Sequence, residues 1–342
     1  MSIIQPLPST CAVSVVIPMY NAAKYIGTTL ESLLAQTFTD FEVIIADDCS
    51  TDSSCAVVES YMPRFGGRLK LSHMKRNSGG PGAPCNKSIA HARGKYIYQI
   101  DNDDLLVSNA LETLYTAAEH FNADVVHMSR YIFFRDEPSN PFPARDKLFI
   151  TQSFSDEIML DPEDIGKRIE IFCKDFTGVE GWLKFVRRDF LVENEIIFPD
   201  NMKASQDVIW TIELLYYAKR YLRIPQPLYV HRFRPDSVSA LNRQGLACIE
   251  YWGTLLVQGL AFLCRFFDEQ KFFRDNPQDA LKLLDWFKQT HAKNFIPVLS
   301  KVPPHEAQKV LAENFSAAFG AHAGLIAYLC TSITELERRL KV

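Results

Sequence analysis

The chain has 342 residues, of which 47% are hydrophobic and 23% charged, a composition that fits one large soluble domain or two ordinary ones. A net charge of −4 leaves no general basic field for nucleic acid, so no nucleic-acid partner is expected. The opening Met1-Ser2-Ile3-Ile4-Gln5-Pro6 has neither a basic start nor a long apolar run, so no signal peptide is expected and a cytoplasmic setting is. The eight cysteines show no Cys-x-x-Cys pair and no Cys/His group at zinc-ligand spacing, and read as small buried thiols.

Residues 13–18 form a β-branched run ending at Pro18, and residues 23–36 carry helical spacing at Ile26, Leu30, Leu33 and Leu34. A second apolar run, residues 41–46, ends in Asp47-Asp48. Helix over 53–62, strand over 69–74, helix over 84–92, strand over 96–100, helix over 109–121 and strand over 124–128 follow. Short apolar strands alternating with helices imply an α/β fold, a mostly parallel sheet covered on both faces. Pro138, Pro141 and Pro143 mark an irregular excursion. Order resumes with residues 182–191, a helix over 207–220 and an apolar strand near 223–229. From about Leu241 the pattern is helical, which divides the chain into residues 1–240 and a helical part, 241–342. The apolar stretches 255–267 and 315–333 read as buried or interfacial helices, the first being short and broken by Gln258 and Arg265.

Ligands of open α/β sheets bind at the carboxyl ends of the strands. Three polar clusters fall there: Pro18-Met19-Tyr20-Asn21, Asp47-Asp48-Cys49-Ser50-Thr51-Asp52 and Asp101-Asn102-Asp103-Asp104. Three carboxylates in four residues repel one another unless a positive group sits among them. A hard divalent cation with oxygen ligands meets that need. A polar turn capping the next helix explains the last cluster taken alone. The coincidence of three clusters favours a site.

These pieces, in this order, resemble the family-2 glycosyltransferases with their GT-A fold. The resemblance runs from Val13-Ser14-Val15-Val16-Ile17-Pro18 through Asp47-Asp48, Asn77-Ser78-Gly79-Gly80 and Asp101–Asp104 to Lys184-Phe185-Val186-Arg187-Arg188, Gln206-Asp207 and Tyr229-Val230-His231-Arg232, covering about residues 12–240. It implies an inverting, metal-dependent transfer of a sugar from a nucleotide diphosphate, commonly of uridine, to an acceptor hydroxyl in surface polysaccharide or glycoconjugate synthesis.

The resemblance also implies roles. Pro18, Tyr20 and Asn21 would hold the base, with Asp48 reading its edge, and Asp101 and Asn102 would approach the ribose. Asp103 would ligate Mn²⁺ or Mg²⁺, with His231 completing the shell or touching phosphate, and Arg232 and Arg234 would face the diphosphate. Asp207 would be the general base. Trp182 would stack on the acceptor or anchor the core, and Asp104 would contact the acceptor or shape its loop. Two positions depart from the family pattern. Gln206 stands where an acid is usual, and Cys85 stands where an arginine is usual, with Lys87 or Arg93 as candidate substitutes. The acceptor would be a sugar, a lipid-linked or another glycan, a lipid-linked one bringing peripheral membrane contact, and the helical part would pack on the catalytic domain, complete the acceptor site or mediate self-association.

Other classes fit less well. A nucleotidyltransferase would carry a glycine-rich basic loop after the first strand, and a dehydrogenase a Gly-x-Gly-x-x-Gly there. Cys85 and Gln206 leave open a degenerate binding module; Asp101, Asp103 and Asp207 argue for an enzyme.

Overall fold

The computed structural model describes residues 8–135, 149–151, 155–174, 178–200, 202, 206–234, 237, 245–299 and 301–319. The excursion around Pro138, Pro141 and Pro143, and most of the apolar stretch 315–333, lie outside the described residues. The chain forms two compact units. One comprises Met1–Asn201 and Gln206–Phe233, the other Met202–Ser205 and Arg234–Val342. The division thus falls at Phe233 and Arg234, a few residues before the position expected from the helical pattern.

The first unit opens with β1 (Cys11–Met19), α1 (Ile26–Leu34), β2 (Phe41–Asp47), α2 (Ser54–Phe65), β3 (Leu69–His73), α3 (Gly82–His91) and β4 (Gly94–Gln99). It continues with β5 (Leu105–Leu106), α4 (Ala110–Phe121), β6 (Val125–Met128), β7 (Ile132–Arg135), β8 (Phe149–Ile150), β9 (Met159–Leu160) and α5 (Ile165–Lys174). It ends with β10 (Lys184–Arg187), α6 (Arg188–Glu193), α7 (Gln206–Tyr217), β11 (Tyr221–Ile224) and β12 (Tyr229–Phe233). The main sheet has the order β3-β2-β1-β4-β10-β6-β11-β9, and a smaller one the order β5-β12-β7-β8.

All seven residues of β2, and all of β1 after Cys11, are buried, as expected of strands covered on both faces. Val13, Val15, Ile17, Val43 and Ile45 share one core with Ile26, Leu30 and Leu33 of α1 and Leu111, Leu114 and Ala118 of α4. The β1–β2, β1–β4, β2–β3 and β6–β11 pairs are parallel. The sheet is nevertheless mixed. The four-residue β10 enters between β4 and β6 and runs antiparallel to both. This reversal matters for the site, because it brings the amino end of β10 to the edge where β1, β2 and β4 end.

The single strand expected near residues 223–229 is two strands in two sheets. Pro225 and Pro227 follow Ile224, and a proline supplies no ladder N–H. The chain leaves the main sheet there and re-enters the small one as β12, whose Tyr229 and Val230 pair with Leu106 and Leu105.

The second unit contains α8 (Gly245–Glu269), α9 (Lys271–Asp275), α10 (Pro277–Leu299) and α11 (Pro304–Phe319). The stretch read as short lies inside α8, whose 25 residues are long and apolar enough to cross a membrane by length and composition alone. Ile249 and Val257 of α8 cluster with Ala307 and Leu311 of α11. A Cβ on Gly259 would lie 2.3 Å from the Phe287 ring of α10, so the two helices pass closely at that glycine.

Gly94 allows a comparable approach within the main sheet. A Cβ there would meet the Ser14 nitrogen at 2.3 Å and the Val13 carbonyl carbon at 2.5 Å, both backbone atoms. Gly94→Ala is therefore expected to destabilise the chain by about 1–3 kcal/mol or more, as read by urea denaturation. An unchanged midpoint would contradict this packing.

Candidate active site

The loop after β1 is shaped by its own polar groups. Asn21 takes a left-handed conformation, φ 47°. Its backbone N–H donates to Ser50 Oγ at 2.9 Å, and its side-chain oxygen accepts from the Thr51 N–H at 2.8 Å. The Ala22 N–H reaches Ser54 Oγ at 2.7 Å, and the Ala23 N–H reaches Asp52 at 3.1 Å. Asp52 also accepts from the Ser54 N–H, so it serves the start of α2 and this loop together. Asn21, expected at the base, here has its side-chain oxygen committed to the loop. Tyr20 is 49% exposed at the tip and free to meet a planar ligand.

Asp48 is buried, and both its oxygens accept from the Ser78 N–H, at 2.9 and 3.0 Å. Burial first, and then the neighbouring Asp47, raise its carboxyl above the usual range, against the bonds from Ser78. Asp48 thereby ties the Asn77-Ser78-Gly79-Gly80 segment to the sheet edge. Pro18 and Asn102, both expected to hold the donor, meet each other: Asn102 Nδ2 donates to the Pro18 carbonyl at 2.8 Å. The base loop and the acidic loop are thus joined directly.

Asp101, Asp103 and Asp104 each bring a carboxylate oxygen within 4.8 Å of the others. Asp101 accepts from Gln99 Nε2 at 2.8 Å, and its backbone N–H donates to the Tyr229 hydroxyl at 3.1 Å. Burial, followed by the charges of Asp104, Asp103 and Asp207, pushes its carboxyl well above the usual range. A dication among the three would reverse that cost, and oxygen-only donors fit Mn²⁺ or Mg²⁺.

Asp104 is 1% exposed. It accepts from the Tyr229 hydroxyl at 2.7 Å, from His231 Nδ1 at 3.0 Å and from the Arg232 N–H at 2.7 Å. Of its two expected roles the geometry gives it the second: it shapes the loop, and it is too enclosed to contact an acceptor.

The positions of Trp182, Arg232 and His231 bear on three further expectations, and for Trp182 they favour the second of its two readings. Trp182 is 5% exposed and stacks on Tyr229, with centroids 4.2 Å apart, and on His231 at 5.5 Å. It is a core anchor rather than an acceptor platform. Arg232 is 1% exposed, lies over the rings of Tyr25 and Phe134, and donates through Nε to the Asp103 carbonyl at 2.8 Å. It braces the acidic loop from behind and is too enclosed to face a diphosphate. His231 lies outside the converging carboxylate trio and pairs with Asp104. Burial alone would lower its pKa, but Asp104, with Asp101 and Asp103 beyond, lifts it to about 9. Arg234 belongs to the second unit.

Asp207 opens α7. Burial raises its carboxyl, the Gly181 N–H and Lys184 lower it, Glu180 raises it, and the result is about 6. Lys184 is fully buried at the start of β10 and donates to the carbonyls of Gly178 at 3.0 Å and Glu180 at 2.8 Å. Thr211 Oγ1 holds the Val179 carbonyl at 2.8 Å. A Cβ on Gly181 would lie 2.7 Å from Gln99 Oε1 and 3.4 Å from the Asp207 carboxylate. Residues 178–181 are therefore wedged between β4 and α7. Cys85 is buried where both Asp207 and Asp101 act on it; burial first, and then their charges, hold its thiol well above its ordinary value. Of the two candidate substitutes for the missing arginine, Lys87 is engaged elsewhere, and Arg93 precedes β4, at the other end of that strand from Asp101. Lys87 donates to the His73 carbonyl, and the Arg93 backbone N–H bonds Glu42 and Ser14. Gln206, also buried, lies 3.4 Å from where a Cβ on Gly82 would stand.

Tyr229, Gln99 and the brace from Lys184 were not singled out by sequence reasoning. The period of two along β12 was the available signal, since it puts Tyr229 and His231 on one face. Tyr229→Phe removes a donor to buried Asp104 and an acceptor for the Asp101 N–H. It is expected to cost about 1–3 kcal/mol of stability, measured by chemical denaturation; no loss would remove Tyr229 from this role.

Comparison with known proteins agrees with this geometry. Residues 14–175 match the model for glycosyl transferase family 2. The glycosyltransferase GlyG of Streptococcus pneumoniae is 37% identical over 229 residues, covering 66% of this chain and 72% of that protein. The poly(ribitol-phosphate) β-N-acetylglucosaminyltransferase TarS of Staphylococcus aureus is 30% identical over 221 residues, covering 64% of this chain but only 35% of its own length. The crystal structure of TarS 1–349 with UDP-GlcNAc superposes with a TM-score of 0.63, at 23% identity, over 96% of this chain and 92% of that one. The mannosyltransferase PcManGT of Pyrobaculum calidifontis, solved with GDP-Man and Mn²⁺, gives 0.51 at 16% identity, over 97% of this chain and 90% of that one. The fold is GT-A-like, a large mixed sheet flanked by helices with a helical carboxyl-terminal region, and the chain belongs to glycosyltransferase family 2.

Proposed function

We propose that this glycosyltransferase moves a sugar from a uridine diphosphate donor to a glycan hydroxyl, with inversion, in the synthesis of a surface polymer or glycoconjugate. The observation that carries the reading is a division of labour among acids. An oxygen-only carboxylate trio stands at the sheet edge, and a separate buried carboxylate, Asp207, is held near neutrality beside it. The TarS complex with UDP-GlcNAc supports the choice of donor class.

In this reading Tyr20 stacks on the base, and the loop clamped by Asp48 and Ser78 closes around it. Asp101 and Asp103 would hold Mn²⁺ or Mg²⁺, which would supply Lewis-acid neutralisation of the leaving diphosphate. Asp207 removes the acceptor proton as the hydroxyl oxygen bonds to the anomeric carbon and the bond to the diphosphate breaks. With Asp207 as base, the acceptor oxygen displaces the diphosphate in a single step, and hence with inversion. The Gly181 N–H holds the Asp207 carboxylate in place. Cytoplasmic action on a growing or lipid-linked acceptor fits this chemistry.

Asp103→Ala is expected to abolish metal-dependent UDP binding by calorimetry while the chain stays folded. Asp207→Asn is expected to leave UDP affinity within a few-fold and to lower kcat by about 10²–10⁴. A base must be unprotonated to act. With a pKa of about 6 for Asp207, activity should be full above that pH and fall tenfold per unit below it. A rate–pH profile flat from 7 down to 5 would remove Asp207 from the role, and unaltered turnover in Asp207→Asn would do the same.

A further inference from the structure

A second convergence of ligating side chains lies away from the acidic trio. Asp47 ends β2, His73 ends β3, and the parallel register sets the two residues opposite each other. Cys55 sits in the first turn of α2. One ligand atom from each lies within 4.8 Å of the other two. His73 Nδ1 stands 3.4 Å from Asp47 Oδ2 and 4.0 Å from Cys55 Sγ.

The first of these distances is long for an N–H···O bond, whose ordinary range is about 2.7–3.2 Å. It suits two corners of a metal tetrahedron. With Zn–N near 2.0 Å, Zn–O near 2.1 Å and Zn–S near 2.3 Å, the edges come to about 3.3–3.6 Å. A small approach of the Cys55 thiol closes the remaining gap. The Asp47 carboxylate is already oriented by the Ser50 N–H, at 3.2 Å to one oxygen and 3.3 Å to the other. Its side chain is 4% exposed whereas that of His73 is 56% exposed, so the group has a fixed floor and an open side where water can supply a fourth ligand.

From this arrangement we infer that Asp47, Cys55 and His73 form a binding site for a borderline-soft divalent cation of the zinc class. One thiolate, one imidazole and one carboxylate select Zn²⁺ or Co²⁺ over Mg²⁺ and Mn²⁺, which prefer all-oxygen shells. The site is thus chemically separate from the acidic trio and does not depend on the proposed transfer reaction. Its occupancy ties together the ends of β2, β3 and α2, next to the Asp48 loop.

The test uses the full chain carrying Asp103→Ala, which disables the acidic trio, stripped of metal and titrated with Co²⁺. One Co²⁺ per chain should bind and give the intense near-ultraviolet absorption of a thiolate ligand, displaced by Zn²⁺ and not by Mg²⁺. Adding Cys55→Ser should remove that absorption. Adding His73→Ala, at a half-exposed position, should weaken binding by more than about 100-fold, beyond the cost of losing an outer partner. Absence of the thiolate absorption before either change, or its persistence at full stoichiometry in the Cys55→Ser chain, overturns the site.

Discussion

The structure depends on holding three carboxylates within 4.8 Å of one another at a sheet edge. Like charges that close destabilise each other, so the loop survives only if one of them is absorbed into the protein. Asp104 is that one. Its two oxygens take a phenol, an imidazole and a backbone N–H from three positions of one strand, Tyr229, His231 and Arg232. The same knot fastens the small sheet to the main one. Because β5 follows Asp104 immediately and pairs with β12, the acidic loop cannot move without both sheets. Arg232 and the stacked Trp182 then act as a brace behind the loop, which explains why neither reaches solvent. Pre-set carboxylates cost stability while the site lacks a cation, and the buried framework supplies the rigidity that keeps them convergent.

The first 128 residues were legible because most strands there are short, largely buried runs bounded by helix signals. Burial on both faces makes β1 and β2 continuous in apolar character, and period and length then leave little choice. The parts that escaped are those where order comes from distant pairing. Four-residue β10 carries no periodic signal of its own. Its direction follows from the gap between β4 and β6, not from Lys184-Phe185-Val186-Arg187 itself. The run near 223–229 looked continuous because its apolar residues are continuous; Pro225 and Pro227 were the readable sign that the ladder stops.

Within the site, the chemical types at the strand ends were legible and their division of labour was not. Asp101, Asp103, Asp104 and Asp207 were picked out by charge and position. Sequence could not say that Asp104 would be enclosed while its neighbours stayed partly exposed, since that rests on the Tyr229 hydroxyl 125 residues away. Trp182 and Arg232 are residue types that serve ligands and cores equally, and only burial distinguishes the two. Zinc-ligand spacing fails for the same reason at Asp47, Cys55 and His73: parallel register brings together residues that lie far apart along the chain.

The surroundings of Asp207 show how the two departures from the family pattern fit together. A buried carboxylate with an acidic neighbour in place of Gln206 and a cation in place of Cys85 would feel two opposed charges. Replacing both with neutral groups removes the repulsion and the attraction at once. What remains is burial, opposed by the Gly181 N–H and by Lys184 and reinforced by the charge of Glu180. Lys184 is itself drawn down by burial to about 7, with Glu180 and Asp207 opposing that fall. A proton arriving at Asp207 therefore enters a group of charges already near their balance point, and the protein need not reorganise to receive it. In the proposed reading of Asp207 as base, that is the condition a fixed carboxylate needs, and the lysine on the reversed strand β10 would stand in for the usual arginine on α3.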